Sequence, residues 1–266
     1  MFEDIYSRPL GRLAARVLAA PFVSFLAGVF MDSRLSRPFI RGFAKRNRID
    51  MSEVLKTDFS SFNDFFTREL KPGARPLCPD ADALISPCDG LLSVYDIGPD
   101  SRFDIKRHLY TAFSLTENQD IARAFDGGKC LVFRLTPSHY HRYIWPVNGR
   151  VTGRKHIRGL YHTVRPGALE HTEVFRTNTR EYALCETDFG RLLYMEVGAM
   201  LVGRIVNRAG QDAFSRGEEK GYFAFGGSTI VLLLEAGAAE LEGRFSPDAE
   251  TPVRAGEKIG IRRKDA

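Results

Sequence analysis

A serine that follows two glycines and opens an apolar run is the residue of this sequence best placed to do chemistry. The stretch is Gly226-Gly-Ser-Thr-Ile-Val-Leu-Leu-Leu234. Paired glycines reach backbone conformations that a Cβ resists, so the Ser228 hydroxyl can be pressed against the carbonyl of Gly227. Attack there is an intramolecular acyl shift, the first step of a backbone that cuts itself. Taken alone, the same residues also describe a glycine bulge at the start of a strand, with Ser228 in an ordinary turn.

Such a shift needs a base. His139 and His141 flank Tyr140 in Thr136-Pro-Ser-His-Tyr-His-Arg-Tyr-Ile-Trp-Pro-Val-Asn-Gly149, so on an extended segment both face one side. No third ligand stands at a spacing that would complete a zinc site, and no metal is expected. His162 lies in Gly159-Leu-Tyr-His-Thr-Val-Arg-Pro166. Asp89-Gly90, in Ser86-Pro-Cys-Asp-Gly-Leu-Leu-Ser-Val94, reads as a turn that leads into an apolar strand.

Phe223-Ala-Phe-Gly-Gly-Ser-Thr-Ile-Val231, preceded by Gly217-Glu-Glu-Lys-Gly-Tyr222, closely resembles the self-cleavage site of phosphatidylserine decarboxylase proenzymes. Weaker matches run in the same order from about Pro9 to Ile259. They include Phe65-Phe-Thr-Arg-Glu-Leu70 with Arg75-Pro76, Pro87-Cys-Asp-Gly90, Tyr140-His-Arg142 and Val197-Gly-Ala-Met-Leu-Val-Gly203. Asn178-Thr-Arg-Glu181 has a counterpart too, to which no chemistry is assigned. The resemblance implies a cut between Gly227 and Ser228 that releases residues 1–227 and leaves a covalent pyruvoyl group, made from Ser228, on residues 228–266. It further implies a lyase of phospholipid biosynthesis that turns phosphatidylserine into phosphatidylethanolamine and CO2, with the pyruvoyl ketone as electron sink.

The same resemblance puts Asp89 in an Asp–His–Ser set that drives self-cleavage. A carboxylate that holds a histidine in the right tautomer makes it a better base. His141 falls on an active-site histidine of the family and is assigned the acid that returns a proton to Cα. This chain departs from the commoner pattern at Ile144, where many members carry the histidine that serves as base. Either His141 takes over, or His162 fills the space. A turn at Val147-Asn-Gly149 would fold the later strands beside residues 140–145, where cross-strand neighbours could exchange an imidazole for an apolar group. On that reading His162 is the self-cleavage base and His141 serves the later chemistry.

The elements that position these groups follow from periodicity and punctuation. Leu10, Leu13, Ala14, Val17, Leu18, Phe22, Phe25, Leu26, Val29 and Phe30 recur at helical spacing, Arg8, Arg12 and Arg16 line another face, and Pro21 interrupts the run. Ser60 or Ser61 caps a further helix. Beyond it, short apolar runs separated by turn residues predict strands, and Thr251-Pro-Val-Arg-Ala-Gly-Glu-Lys-Ile-Gly260 predicts a closing hairpin. The fold class is α+β, with N-terminal amphipathic helices (residues 1–64, membrane-associating) before a mainly antiparallel β catalytic body (residues 65–266).

At 266 residues, with 44% hydrophobic and 27% charged content, the chain is composed as a globular protein rather than a disordered one. Four scattered cysteines fit neither a disulfide framework nor a zinc site. The net charge of +5 is concentrated in residues 1–48, which hold nine Lys/Arg against three Asp/Glu. Val17 to Met31 is too short and interrupted to span a bilayer, but a basic helix with aromatic residues on its apolar side suits the headgroup region. The resemblance, which implies a lipid substrate, together with this pattern makes phosphatidylserine and an anionic membrane surface the expected partners, with the protein peripheral at the cytoplasmic face of the cell membrane. Nucleic acid is not expected, since the basic residues do not interleave with aromatics in a recognised motif. Family precedent implies a homodimer. Two alternatives stay open at this point: a pyruvoyl decarboxylase of a soluble amino acid, and a non-catalytic membrane-surface relative, which Ile144 would favour.

Overall fold

The computed structural model describes residues 19–105, 108–164, 171–199, 204–210, 212–225, 228–247 and 249–263. The helical periodicity before Ala19 and the glycine pair Gly226-Gly227 lie outside them. The strands are β1 (Ala83–Ile85), β2 (Gly90–Asp96), β3 (Arg102–Ile105), β4 (His108–Thr111), β5 (Lys129–Leu135), β6 (Arg142–Ile144), β7 (Gly149–Ile157) and β8 (Arg180–Thr187). They continue with β9 (Gly190–Gly198), β10 (Ile205–Asn207), β11 (Ala213–Phe214), β12 (Glu219–Phe223), β13 (Ser228–Leu234), β14 (Ala239–Leu241), β15 (Thr251–Val253) and β16 (Lys258–Arg262).

The continuous apolar run after Ser228 becomes β13, and all seven of its residues are buried. A strand buried on both faces needs neighbours on both sides and a cover above and below. β13 accordingly sits inside an eight-stranded antiparallel sheet of order β11-β7-β8-β9-β13-β5-β2-β15. The two-residue period of a strand divides its side chains between two cores. Ile230, Leu232 and Leu234 join Phe133, Trp145 and Tyr194 on one face, while Val231 and Leu233 join Val132, Phe175 and Met195 on the other. The first face is covered by two three-stranded sheets, β10-β12-β6 and β1-β16-β14, through Tyr143, Phe223, Leu84 and Ile259. The second is covered by the β3–β4 hairpin and the short helices Ala112–Thr116, Gln119–Arg123 and Val174–Thr177. Each large apolar side chain so buried is worth about 1.5–3 kcal/mol, which makes the sheet centre the mechanical base of the site.

The expected closing hairpin does not form. β15 adds to the edge of the main sheet beside β2, whereas β16 joins β1 and β14. Pro252, which has no N–H to donate, suits that edge position, and Gly256 turns the chain between the two strands at φ +84°. Anchoring of the expected short chain is thereby more thorough than a hairpin would give. β13 pairs with β5 and β9, β15 with β2, and β16 with β1, all partners that precede residue 227.

Three helices stand at the N-terminal side: Pro21–Asp32, Pro38–Arg46 and Phe62–Phe66. Pro21 opens the first, where a missing N–H costs nothing. Ser61 caps the third by accepting from the Asp64 N–H at 3.1 Å. The Phe43 ring packs on Phe62 (4.9 Å) and Phe225 (6.1 Å), so the helical part rests against the segment just before the glycine pair. The first helix leaves Phe22, Phe25, Leu26, Val29 and Phe30 exposed, Phe22 by 68% and Phe30 by 40%. No helix among the described residues is long and apolar enough to cross a membrane. The architecture is α+β.

Candidate active site

One end of the large sheet gathers the residues singled out by their chemistry. Ser228 is the first residue of β13, and its register partners are Leu135, the last residue of β5, and Gly198, the last of β9. β2 begins at Gly90, next to Asp89 and one strand further on. Two glycines of the Gly217-Glu-Glu-Lys-Gly221 motif have local reasons. Gly217 turns at φ +87°, and a Cβ on Gly221 would stand 2.2 Å from the Val206 carbonyl oxygen. Of the two glutamates between them, Glu219 ties this segment to another motif, because Arg142 of Tyr140-His-Arg142 donates to it at 3.1 Å.

Ser228 is fully buried, and its Oγ has no hydrogen-bond partner among the described residues. The same holds for Thr229 Oγ1, His141 Nε2 and Arg68 Nε. Leaving a buried polar group unpaired costs about 1–3 kcal/mol. Native interiors rarely tolerate it, so a group of such atoms asks for a functional explanation.

His141 is fully buried, with the Phe66 ring packed against its own, tilted by 40° at 4.1 Å between centroids. Its Nδ1 lies 2.9 Å from the His139 carbonyl oxygen. A carbonyl only accepts, so Nδ1 carries the proton and Nε2 presents a bare lone pair. Burial, with the Arg68 charge adding to it, pushes the pKa down to about 3, and the imidazole is neutral at pH 7. The His141 carbonyl accepts from the Phe223 N–H at 2.9 Å, which ties this histidine to the strand that runs into the glycine pair.

His162 is also buried, held through its backbone by Asn178. The Asn178 Oδ1 accepts from the His162 N–H (2.9 Å), and its Nδ2 donates to the carbonyls of His162 (2.8 Å) and Gly198 (2.8 Å). One amide thus couples His162 to the residue that lies across from Ser228. Asn178 was the counterpart without assigned chemistry, and its partners, sixteen and twenty residues away, gave no local signal.

Asp89 is 5% exposed. Its carboxylate accepts from Arg75 Nε (2.8 and 3.0 Å), from Arg75 Nη2 (2.7 Å) and from the Ala255 N–H (3.0 Å). The hydrogen-bond partner is therefore an arginine fork, where the sequence led us to expect a histidine. A guanidinium matches a carboxylate with two parallel bonds, which an imidazole cannot do. Arg75 also donates to Glu53 at 2.9 Å. Asp89 still acts on a histidine at a distance: burial lowers the His139 pKa, and the Asp89 charge works against that. His139 Nδ1 accepts from the Thr136 N–H at 2.9 Å in the turn that follows β5. Arg68 and Arg75 both lie in motif segments of the sequence, and their arginines were the available sign.

The proposed exchange of neighbours across a Val147–Gly149 turn is not what brings His162 to this end. β6, with Ile144, pairs with β12, while β7 pairs with β8 and β11. Arg142 of β6 finds its carboxylate on β12, and this fixes the pairing. Ile144 donates its N–H to the Pro87 carbonyl at 2.9 Å, so it is adjacent to the Asp89 turn.

One sheet end thus gathers a buried serine without a hydrogen-bond partner among the described residues, two buried histidines and an arginine-held aspartate, the residue types that acyl transfer uses. Known proteins bear on which kind. The family model for phosphatidylserine decarboxylase matches residues 62–261. Phosphatidylserine decarboxylase proenzyme 2 of Clostridium acetobutylicum is 38% identical over 262 residues, covering 96% of this chain and 90% of the relative. The phosphatidylserine decarboxylase proenzyme of Ruminiclostridium cellulolyticum is 37% identical over 271 residues, covering 98% and 90%. That of Desulfitobacterium hafniense is 38% identical over 275 residues, covering 99% and 92%. With the match extending through the sheet, its unpaired serine and both motif segments, this chain belongs to the phosphatidylserine decarboxylase family.

Proposed function

We propose that this family member is made as one chain that cuts itself between Gly227 and Ser228, and that the product converts phosphatidylserine into phosphatidylethanolamine and CO2. The observation that carries the reading is the Ser228 hydroxyl, buried and without a partner among the described residues at the first position of the central strand. Such a hydroxyl is accounted for when it is a nucleophile consumed in a reaction.

In the cut, His162 takes the Ser228 proton as Oγ adds to the Gly227 carbonyl. The C–N bond then breaks and the nitrogen of residue 228 is protonated, leaving an ester. Loss of the Ser228 α-proton expels the Gly227 carboxylate, and water replaces nitrogen, which departs as ammonia. Asn178 is the positioning residue for His162, through the backbone bonds given above. Asp89 belongs to the same set, its carboxylate oriented by Arg75 at the turn beside β5.

The residues present fit a pyruvoyl group at position 228, since the precursor side chain is small, fully buried and unpaired. Once formed, the ketone supplies the electron sink that loss of CO2 from an α-amino acid requires. His141 manages the proton. Its neutral Nε2 takes one from the substrate ammonium and later delivers it to Cα.

The exposed apolar face of helix Pro21–Asp32, together with the basic residues around it, supports a lipid rather than a soluble amino acid as substrate. We assign residues 1–64 to membrane association and residues 65–266 to catalysis, with the protein peripheral on the anionic cytoplasmic face and assembled as a homodimer. The test is CO2 release from vesicles of carboxyl-labelled phosphatidylserine. It should disappear in Ser228→Ala and on treatment with phenylhydrazine, which traps ketones. Release that survives both contradicts the proposal.

A further inference from the structure

Arg68 is a buried cation with too little to hold. It is 4% exposed, its Nε has no acceptor among the described residues, and its remaining hydrogen bonds there are long: Nη1 to the Phe66 carbonyl and Nη2 to the His139 carbonyl, each 3.4 Å. Its guanidinium also lies 5.4 Å from the centroid of the Phe65 ring. Burial lowers its pKa, with the charges of Asp89 and Glu53 acting the other way. An arginine seldom stays in such surroundings without an anion to receive.

Arg68 lines a cavity of about 460 Å³ between the helical part and the sheet end that carries Asp89 and His139. That volume lies within the usual range for small-molecule sites. Four carboxylates on its wall, Asp50, Glu53, Asp89 and Glu257, stand against four arginines, Arg48, Arg68, Arg75 and Arg254, but the carboxylates are engaged: Glu53 and Asp89 accept from Arg75, Asp50 from Ser52, and Glu257 from Arg244. Arg48 and Arg254, both exposed on the cavity wall, are in no ion pair among the described residues. The guanidinium donors left for a ligand are those of Arg68, Arg48 and Arg254.

We propose that Arg68, with Arg48 and Arg254 at the rim, holds the phosphodiester of the lipid headgroup while the serine moiety is decarboxylated. The inference rests on the decarboxylase reading above and names the group that the cavity binds. Two anions of the substrate compete for this role. A cation on the carboxylate would stabilise the ground state more than the transition state, because that charge leaves with CO2. The phosphodiester keeps its charge throughout, so binding it positions the substrate without opposing the reaction. The location suits this division of labour, since Phe66, two residues before Arg68, packs against the His141 ring. The Arg68 charge is also felt at His141, and an anion that screens it makes the imidazole a readier proton carrier.

The test compares binding to the processed full-length enzyme by calorimetry. Glycerophosphoethanolamine carries the phosphodiester without a carboxylate, O-methylserine the carboxylate without phosphate, and inorganic phosphate neither arm of the lipid. Arg68→Gln should weaken glycerophosphoethanolamine about 10- to 100-fold, with partial recovery in Arg68→Lys and no change for O-methylserine. The KM for phosphatidylserine should rise with it while kcat changes little. The exposed variants Arg48→Gln and Arg254→Gln, which do not threaten folding, should each weaken the diester a few-fold and reduce its salt dependence. Equal diester binding in Arg68→Gln, or no effect of either rim variant, overturns the inference. So does an equal loss for O-methylserine, or inorganic phosphate bound more tightly than the diester. Wild-type protein that neither cuts itself nor releases CO2 overturns the underlying reading instead.

Discussion

Replacing His141 by phenylalanine should make the protein less sensitive to acid. In the folded protein this imidazole titrates at about 3, against an ordinary value of 6.5. Folding therefore excludes a proton that the unfolded chain accepts. The stability gained by burying a neutral ring is complete above pH 6.5 and is lost progressively as the pH falls toward 3. Between about pH 7.5 and about pH 5 the loss from this residue is about 2 kcal/mol. Phenylalanine keeps a ring against Phe66 but forfeits the bond to the His139 carbonyl, so the variant is weaker at every pH. The pH dependence isolates the imidazole. The assay is urea unfolding at the two pH values, read by the buried Trp145, in a Ser228→Ala background that stays one chain. The drop in stability should be smaller in the His141→Phe protein by about 2 kcal/mol. An identical drop with and without the histidine would refute the reasoning.

His162→Ala should slow self-cleavage by about 10²- to 10⁴-fold on a gel, the usual worth of a general base. His141→Ala should still be cut but fail to release CO2. Normal cleavage in the His162 variant removes that residue from the mechanism. Asn178→Ala should slow cleavage as well, since the link between His162 and Gly198 is gone, and Asn178→Asp should recover less than full rate for want of the two donated bonds. Arg75→Leu leaves Asp89 buried with only the Ala255 N–H, and unfolding should show a loss of about 3 kcal/mol, reduced by Arg75→Lys. On the first helix, changing Phe22, Phe25 and Val29 together to serine should cut binding to anionic vesicles by about 100-fold or more in a sedimentation assay. Unaltered binding would move the membrane contact elsewhere.

Much of the scaffold was legible because its signals are local. The apolar run after Ser228 has the composition of the buried strand it forms, the cap expected at Ser60 or Ser61 is Ser61, and Phe22 to Phe30 showed an apolar face that the structure leaves uncovered. What failed depended on partners far apart in the chain. The pairing of β6 with β12 is set by an Arg142–Glu219 contact across 77 residues, so the expected neighbourhood of Ile144 and residues 149–162 had nothing local to contradict it. Asp89 offered a carboxylate whose turn was readable, yet which cation would reach it was not, and Arg75 lies 14 residues away on the other side of a Pro/Gly segment. The closing residues showed two short strands correctly but sent them to different sheets, a choice that depends on which edges β2 and β1 leave open. Asn178 illustrates the remaining gap. A buried amide that links His162 to the strand beside Ser228 gains its meaning only once the fold is in view.

The central claim is that Ser228 breaks its own backbone bond and ends as a ketone. Intact-mass measurement of freshly purified wild-type protein tests it most directly. The account predicts two chains, one ending at Gly227 with a free carboxylate and one of residues 228–266 that is lighter by one ammonia than the same peptide beginning with serine. A single unbroken chain, or a short chain that retains an N-terminal serine, would contradict it.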